Sequence, residues 1–418
     1  MKPRLLIFGI SYAPEPISTG VNTTWQAEAL TKLGWDVTVV TGIPHYPWWQ
    51  AQPVPPASPA DPVHVIRRRH HVPPRQTVPQ RALYEGSWVA SSLPVLLGRR
   101  DVDLVMGVIP NLGAAALAAT AAARYRTPYV LLFQDIVGRA AERTGISGAG
   151  RVAGPIASVE NWLARRASAV AIVADGFRDY FLQGGVDPSR IHRVRNPARL
   201  SPPATDRASV RRRMNWAKDE FIVLHSGAIS YKQGLEGLLR TADHARNQPK
   251  LRFILQGEGS MRTELEKLAQ QLRLPNVTFA PLAAEEDYSS ILAAADALLL
   301  YQRPSVRNMS MPAKLGSYFA AGVPVLAAVD KEDDTAAEIR RADAGIVVPP
   351  NDPQSLLSAI DYLARNPEKA AQLGAAGKLY AERELSPDGA IQRIHSVLDG
   401  ALTTRQGAME VPVMSGQR

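Results

Sequence analysis

The sequence predicts an α/β protein made of two doubly wound, Rossmann-like domains. Short apolar runs alternate with helical stretches along almost the whole chain, as in parallel sheets whose strands are joined by crossover helices. The 418 residues exceed what a single hydrophobic core usually holds. Prolines and small polar residues interrupt the alternation at 197–206. We therefore expect two domains that face each other across a cleft at the carboxyl ends of their strands.

The first series of elements defines a predicted domain over residues 1–200. It begins with the strand LLIFGISY (5–12), and a helix follows from Gly20 to about Leu33. The Ala-rich stretch 112–123 is too short to span a bilayer and predicts a buried helix. The further predicted strands are DVTVVTG (36–42), VHVIRRR (63–69), DLVMGV (103–108), YVLLFQD (129–135) and AVAIVAD (169–175).

The second series predicts a second α/β domain over residues 206–383. Its predicted strands are FIVLHSG (221–227), RFILQGEG (252–259), VTFAPL (277–282), ALLLYQ (297–302), VPVLAA (323–328) and GIVVPP (345–350). Pro312 is expected at the first position of a short helix that Gly322 ends. A helix at about 384–400 is expected to return to the first domain, and 401–418 to form a flexible tail.

Charge and composition restrict the classes of partner. The net charge of +9 is concentrated in short basic runs such as RRRHH (67–71) and RRR (211–213). No zinc-finger, RNA-recognition or helix-turn-helix pattern accompanies them, so nucleic acid is not an expected partner. An anionic membrane surface or phosphorylated substrates fit better.

Metal and redox chemistry find little support in the sequence. The chain has no cysteine, and its eight histidines show no metal-ligand spacing. The acidic triplet DVD (101–103) precedes an apolar strand rather than a loop. We therefore expect no bound metal and no cofactor.

The helical stretch 75–100 leaves two interpretations open. Its apolar side chains have basic neighbours, which favours a helix at a membrane interface, and a core helix with solvated arginines explains the same pattern. The apolar residues are Leu83, Trp88, Leu93, Leu96 and Leu97, and the basic ones are Arg75, Arg81, Arg99 and Arg100.

Three predicted strand ends in the second domain carry glycines and lysines. SGAISYKQGLEG (226–237) supplies Gly227, Lys232 and Gly234, and the second loop supplies Gly257 and Gly259. The third, MPAK (311–314), places Lys314 in the first turn of a helix, where a cation is disfavoured unless it meets an anion. Together the three loops predict a diphosphate site.

Several segments resemble the GT-B glycosyltransferases of family 4, and in particular the bacterial enzymes of colanic-acid-type exopolysaccharide synthesis. The likeness extends to about residue 400. The segments that carry it are YAPEPISTG with TGIPHYP in the first half, and LLFQDI, KQGLEG, LQGEG and KLGSYFAAGVPVLAA further on.

The resemblance implies retaining transfer of a sugar from a nucleotide-sugar to an acceptor, usually a polyprenyl-diphosphate-linked saccharide at the cytoplasmic face of the membrane. By the same resemblance, Lys232 is a diphosphate contact with a catalytic role, and Asp135 is an acidic catalytic group. The other implied donor-binding residues are Gly20, Gln233, Gly234, Gly257 and Gly259, and the implied acceptor-side residues are Glu15 and His45.

One departure from the family pattern concerns two glutamates eight positions apart, which are expected to hold the sugar and the ribose of the donor. Their places are taken by Met309 and Ser317, and Ser317 is the remaining donor-binding candidate there. A related branch carries Pro-Ser-Lys where this chain has Pro312, Ala313 and Lys314. Two alternatives follow: a GT-B binding or assembly subunit without turnover, and a sugar-nucleotide epimerase.

Overall fold

The computed structural model describes residues 2–46, 48–54, 61–73, 77–98, 101–139, 149–308 and 311–409. The chain forms two compact units. One comprises the residues up to Arg195 and those from Ala390 onward, and the other comprises Asn196–Gly389. The predicted doubly wound α/β fold is confirmed, because each unit is built on a parallel sheet with crossover helices.

The first unit contains a strand at every predicted position. Its strands are β1 (Arg4–Phe8), β2 (Asp36–Gly42), β3 (His64–Arg68), β4 (Leu104–Ile109), β5 (Tyr129–Phe133), β6 (Ala169–Ile172) and β7 (Ile191–Arg193). Its helices are α1 (Ser18–Lys32), α2 (Val78–Ser92), α3 (Val95–Gly98), α4 (Leu112–Tyr125), α5 (Ala149–Arg166) and α6 (Gly176–Gln183). Within the described residues the sheet order is β3-β2-β1-β4-β5-β6-β7. The chain reverses direction across the sheet between β1 and β4, and ligands bind beside such a reversal in open α/β sheets.

The second unit repeats this plan. Its strands are β8 (Phe221–Ser226), β9 (Leu251–Gln256), β10 (Val277–Ala280), β11 (Ala297–Tyr301), β12 (Val325–Ala328) and β13 (Gly345–Val348). Its helices are α7 (Arg207–Arg213), α8 (Glu236–His244), α9 (Arg262–Gln271), α10 (Glu285–Ala294), α11 (Lys314–Ala320), α12 (Asp334–Ala342), α13 (Pro353–Arg365) and α14 (Pro367–Glu384). Among the described residues the order is β10-β9-β8-β11-β12-β13, so the reversal lies between β8 and β11.

Burial explains why these segments form strands. The side chains of β4 and β5 are buried on both faces, which suits their continuous apolar sequence. The Ala-rich helix α4 packs closely on β4, since a β-carbon at Gly107 would lie only 3.0 Å from the carbonyl oxygen of Ala114. The predicted buried helix at 112–123 is therefore confirmed, and small side chains are what allow the close packing.

The stretch predicted at 75–100 forms α2 and α3, and Arg75, Arg99 and Arg100 lie outside the described residues. Trp88 is fully buried and Leu96 nearly so, as the core-helix interpretation expects. Pro94 lies between the two helices and changes the periodicity of the face. Leu83, Leu93 and Leu97 remain exposed.

The last described helix, α15 (Pro387–Met409), contributes to the core of the first unit. Ile391, Ile394 and Leu398 pack in the same apolar cluster as Trp35, whose indole N–H donates to His395 Nδ1 at 3.0 Å. The helix continues to Met409, so the tail predicted from residue 401 is wrong for residues 401–409, and 410–418 lie outside the described residues.

We predict that Ile394→Ala lowers the free energy of unfolding by about 2–5 kcal/mol, because it leaves a cavity in the first unit's core. Ile394 has no exposed surface, whereas Gln392 on the same helix is exposed, so Gln392→Ala is the matched control. Urea denaturation measures both. Equal midpoints for the two variants would contradict the role of α15 in this core.

Candidate donor site and the first-unit loops

Three loops surround the strand reversal of the second unit. They follow the carboxyl ends of β8, β9 and β11 and begin at Gly227, Gly257 and Gln302. Because parallel strands all end at one edge of the sheet, β8 and β9 bring the predicted glycines Gly227 and Gly257 to the same edge.

The first two loops are joined by backbone hydrogen bonds. Gly227 N donates to Gln256 O at 2.9 Å, and Ile229 N donates to Glu258 O at 2.9 Å. A β-carbon at Gly257 would lie 1.8 Å from the carbonyl oxygen of Gly227, and one at Gly259 would lie 2.2 Å from that of Ile229. Both positions also have positive φ, 145° and 154°. Only glycine satisfies this approach of two backbones.

A short 3₁₀ turn, Tyr231–Gln233, carries Lys232. The side-chain oxygen of Gln233 accepts hydrogen bonds from the Ser230 amide at 3.1 Å and from its hydroxyl at 2.6 Å. Gln233 is a predicted donor-binding residue, and in the structure its side-chain oxygen fixes the turn. Gly234 follows with φ 61°, in the left-handed region that favours glycine.

Arg303, just after β11, holds this turn against the third loop. Its Nε donates to Tyr231 O at 2.7 Å, and its guanidinium lies 4.1 Å from the centre of the Tyr231 ring. The Arg303 amide donates to Lys232 O at 3.0 Å, and its guanidinium also pairs with Glu236. Because the Lys232 backbone is fixed in this way, the position from which its side chain projects is well defined.

Lys314 is the first residue of α11, two positions later than the start predicted at Pro312. A β-carbon at Gly227 would lie 3.2 Å from Lys314 Nζ, so the absence of a side chain at Gly227 leaves room for the ammonium. Lys314 Nζ lies 3.0 Å from Nε2 of the buried His225. Burial lowers the pKa of Lys314 to about 7. The first and third loops therefore bring Gly227 and Lys314 together.

Ser317 lies one turn beyond Lys314 on α11. Burial raises the pKa of Tyr288 to about 12, and the neighbouring Ser317 offsets part of this rise. The next residue, Tyr318, accepts a hydrogen bond from Ser226 N at 2.9 Å and donates to Ser226 O at 3.1 Å, which fixes α11 to the end of β8. Met309, the other position of the family's glutamate pair, lies outside the described residues.

We predict that Lys314→Met stabilises the protein by at least about 1 kcal/mol at pH 7, because the buried ammonium favours unfolding. The unfolded lysine has a pKa of 10.5 and the folded one about 7, so between these values the unfolded chain binds more protons and wild-type stability rises with pH. The advantage of the variant should therefore shrink from pH 7 toward pH 10. Thermal unfolding across this range measures it.

Lys267→Met, at an exposed lysine of the same unit, is the control and should show no such pH dependence. A difference between wild type and Lys314→Met that is constant with pH would contradict the buried ammonium.

In the first unit, Gly20 lies in the first turn of α1, whose N-cap residue Ile17 provides no side-chain acceptor. The first amides of a helix have no acceptor within the helix and attract anions. A β-carbon at Gly20 would lie 3.3 Å from Tyr12 N and 3.2 Å from Ile17 Cγ2, so a larger residue would crowd the loop after β1.

Glu15 and His45 follow β1 and β2, and the structure brings them into contact. Glu15 Oε1 accepts from the amides of His45 at 2.8 Å and Tyr46 at 2.9 Å, and it lies 3.1 Å from His45 Nδ1. His45 Nδ1 also lies 2.9 Å from Ile43 O, so this nitrogen carries the proton, and Tyr84 donates to Nε2 at 3.2 Å. The two predicted acceptor-side residues are only 3% and 2% exposed. Their contacts in the structure hold the loop after β1 against the loop after β2.

Asp135 lies two residues beyond β5, partly buried. The segment that follows it is held by Glu160, a buried carboxylate on α5. Glu160 accepts from Val137 N at 2.9 Å, Gly138 N at 3.1 Å and the Tyr180 hydroxyl at 2.6 Å, while desolvation raises its pKa. In the sheet order β4 separates β5 from β1, so Asp135 lies apart from the contact between Glu15 and His45.

Asp103 of the acidic triplet at 101–103 has a structural role. Its carboxylate accepts hydrogen bonds from the backbone amide and the guanidinium of Arg4. Across the described ranges, no group of three histidine or acidic side chains is placed to hold a metal ion.

Sequence reasoning missed His225 and Arg303. His225 lies near the end of a predicted strand, and Arg303 directly follows one. In each case the available signal was a polar side chain in or just after an apolar run. His225 is the one in FIVLHS, and Arg303 follows ALLLYQ.

Comparison with known proteins assigns each half of the chain to a family. Residues 19–197 match the model of the glycosyl transferase 4-like domain, and residues 206–380 match that of the glycosyl transferases group 1. WcaI of Escherichia coli K12, whose name assigns it to colanic acid biosynthesis as a glycosyl transferase, is 27% identical over 417 residues, covering 95% of this chain and all of that protein.

Solved structures share the fold. Sucrose-phosphate synthase from Thermosynechococcus elongatus has a TM-score of 0.75 at 18% identity, covering 98% of this chain and 100% of its own. HepE of Anabaena, solved in complex with UDP, has a TM-score of 0.70 at 18% identity, covering 95% of this chain and 99% of its own. The fold is therefore GT-B, and the chain belongs to the GT4-like glycosyltransferases, with a glycosyl transferase 4-like first unit and a group 1 second unit.

Proposed function

We propose that this glycosyltransferase is a retaining enzyme of bacterial surface polysaccharide synthesis, which moves a sugar from a nucleoside-diphosphate sugar to a lipid-linked saccharide. The observation that carries the proposal is the Lys314 ammonium, held beside Gly227 at the strand reversal of the second unit. A diphosphate is the part of such a donor that needs a cation, and Lys232 projects from the adjoining loop.

Transfer of the sugar requires stabilisation of the departing nucleoside diphosphate. The bond between the anomeric carbon and the diphosphate oxygen breaks, and the electron pair leaves with the nucleoside diphosphate. The acceptor hydroxyl oxygen forms the new bond on the same face, and we assign its proton to the Asp135 carboxylate. Lys232 and Lys314 offset the charge that develops on the diphosphate, so we propose that no divalent metal is required.

Names of related proteins support the class of donor and acceptor. HepE was solved with UDP and with UDP-glucose. WcaI is named for colanic acid synthesis, and a second relative is named an O-antigen chain mannosyltransferase. The first supports a nucleoside-diphosphate sugar as the donor, and the other two support a saccharide as the acceptor.

The test is release of nucleoside diphosphate from a panel of UDP-, GDP- and dTDP-sugars in the presence of a membrane extract from a polysaccharide-producing bacterium. We expect release from at least one donor, dependent on the extract and retained in EDTA. Turnover that EDTA abolishes and Mg²⁺ or Mn²⁺ restores would contradict the metal-free step. Interconversion of a free UDP-sugar without acceptor would indicate an epimerase instead.

One observation favours the second candidate, a nucleotide-binding subunit without turnover. Ser317 stands where the family has a glutamate. A neutral hydroxyl offers the donor less than a carboxylate does. Binding of a nucleotide-sugar with no release for any donor in the panel would favour this candidate.

We predict that Lys232→Ala and Lys314→Ala each weaken nucleotide-sugar binding by about 1–3 kcal/mol, the range for a hydrogen bond to a charged group. Ser317→Ala should cost less, because a neutral hydroxyl forms weaker hydrogen bonds than a charged group. Calorimetry measures all three, with Lys267→Ala as the control at an exposed lysine. Wild-type affinity in a folded Lys314→Ala variant would contradict the donor site.

We also propose that the first unit binds anionic membrane surfaces through α2 and α3. Leu83, Leu93 and Leu97 are 51%, 43% and 75% exposed, Arg81 lies on α2, and the chain carries a net charge of +9. Apolar insertion with basic attraction is the usual basis of interfacial binding. Within the described part of the chain, no helix is both long and apolar enough to cross a bilayer.

Sedimentation with vesicles checks this surface. We expect binding to vesicles containing phosphatidylglycerol, loss of binding in high salt, and loss in a Leu93→Ser, Leu97→Ser double variant. Leu379→Ser is the control, because Leu379 is a similarly exposed leucine of the second unit. Equal recovery in the supernatant with neutral and anionic vesicles at low salt would contradict the proposal.

A further inference from the structure

His225 is a fully buried histidine in β8, one residue before the strand ends. Its Nδ1 lies 3.3 Å from Leu299 O, on the neighbouring strand β11. Its Nε2 lies 3.3 Å from Ala228 O and 3.0 Å from Lys314 Nζ. The ring therefore connects the two strands at the reversal with the lysine of the proposed donor site.

The chemistry of these partners fixes the proton on the ring. A lysine ammonium can only donate, and a carbonyl oxygen can only accept. With Lys314 charged, Nε2 must be the unprotonated acceptor, and Nδ1–H then donates to Leu299 O. In the other tautomer Nε2–H points to Ala228 O, and the ammonium loses its acceptor.

A charged His225 is disfavoured for two reasons. Burial lowers its pKa well below the ordinary value, and the neighbouring Lys314 charge lowers it further. The ring is thus an uncharged partner for a cation. Among the described residues, Lys314 forms no ion pair with a carboxylate, so its charge is not cancelled before an anion arrives.

This pairing differs from that of two arginines that hold the same loops. Arg303 pairs with Glu236, and Arg262 pairs with Glu258 and Glu266. A carboxylate partner would hold a cation equally well, but it would repel a diphosphate at the same point. An imidazole nitrogen holds the ammonium without that repulsion.

We infer that His225 is a positioning residue for donor binding: its Nε2 accepts from Lys314 Nζ and holds the uncompensated ammonium beside Gly227, where the diphosphate binds. The inference rests on the proposed function. His225 does not itself touch the donor in this assignment, and it acts through Lys314.

Two variants separate this role from simple packing. His225→Phe keeps an aromatic ring of similar size and removes the acceptor, whereas His225→Gln retains a side-chain oxygen acceptor. His244→Phe, at an exposed histidine of the same unit, is the control. Binding of UDP, GDP and inorganic pyrophosphate is measured by calorimetry, and circular dichroism verifies folding.

We expect His225→Phe to weaken binding of the diphosphates about tenfold, the loss of one hydrogen bond to a charged group, with substantial recovery in His225→Gln. Nitrogen-15 NMR of labelled histidine in the wild-type chain, recorded below the pKa of about 7 so that Lys314 is charged, should show the Nδ1–H tautomer for His225. This second measurement needs neither ligand nor variant, so it tests the pairing even if His225→Phe does not fold.

Each contrary result has its own meaning. An Nε2–H tautomer in the wild type overturns the inference, as does wild-type affinity in folded His225→Phe or equal weakening in the Phe and Gln variants. Failure of the wild type to bind any of the three probes contradicts the proposed function. The Nδ1–H tautomer would then still support the pairing of His225 with Lys314, but it would not support a role in donor binding.

Discussion

The close approach of two backbone segments is the constraint on which the second unit's site depends. The carbonyl oxygens of Gly227 and Ile229 occupy the space where side chains at Gly257 and Gly259 would lie. This contact aligns the loops after β8 and β9, and it leaves an open face at Gly227 that the Lys314 side chain approaches. A larger residue at Gly257 or Gly259 would separate the ends of β8 and β9 before it affected a ligand.

Much of the fold follows from the alternation of apolar and helical segments. Parallel strands that are buried on both faces have nearly continuous apolar sequences, and each such run that was predicted to be a strand is one. β7 was missed because Ile191–Arg193 has only three residues, too few to show a period. The sequence left two interpretations of the stretch 75–100 open because an amphipathic pattern identifies an apolar side without identifying what covers it, and in the structure Trp88 is fully buried.

The site was predictable in its residue types and less so in its contacts. Glycines and lysines at successive strand ends indicated an anion site, since backbone room and positive charge are both visible in sequence. The contact of Gln233 with Ser230 is a capping box, and its Ser-x-x-Gln pattern was present in the sequence but was not used. The contact between Glu15 and His45, by contrast, depends on side-chain directions that no local pattern encodes. His225 was missed although it interrupts the apolar run FIVL, because the run predicts a buried strand without indicating which group a polar side chain in that strand will contact.

The return of α15 to the first unit makes the second unit an insertion within the first. The chain leaves the first unit at Arg195 and re-enters it at Ala390. A ribosome therefore completes every residue of the second unit before it makes Ile391, Ile394 and Leu398, which fill the first unit's core. Since domains fold as units during synthesis, the order of folding is reversed relative to the order of the sequence: the inserted unit can reach its native state while the earlier one still exposes apolar surface. The first unit's apolar surface is consequently the part of the nascent chain most in need of protection from aggregation.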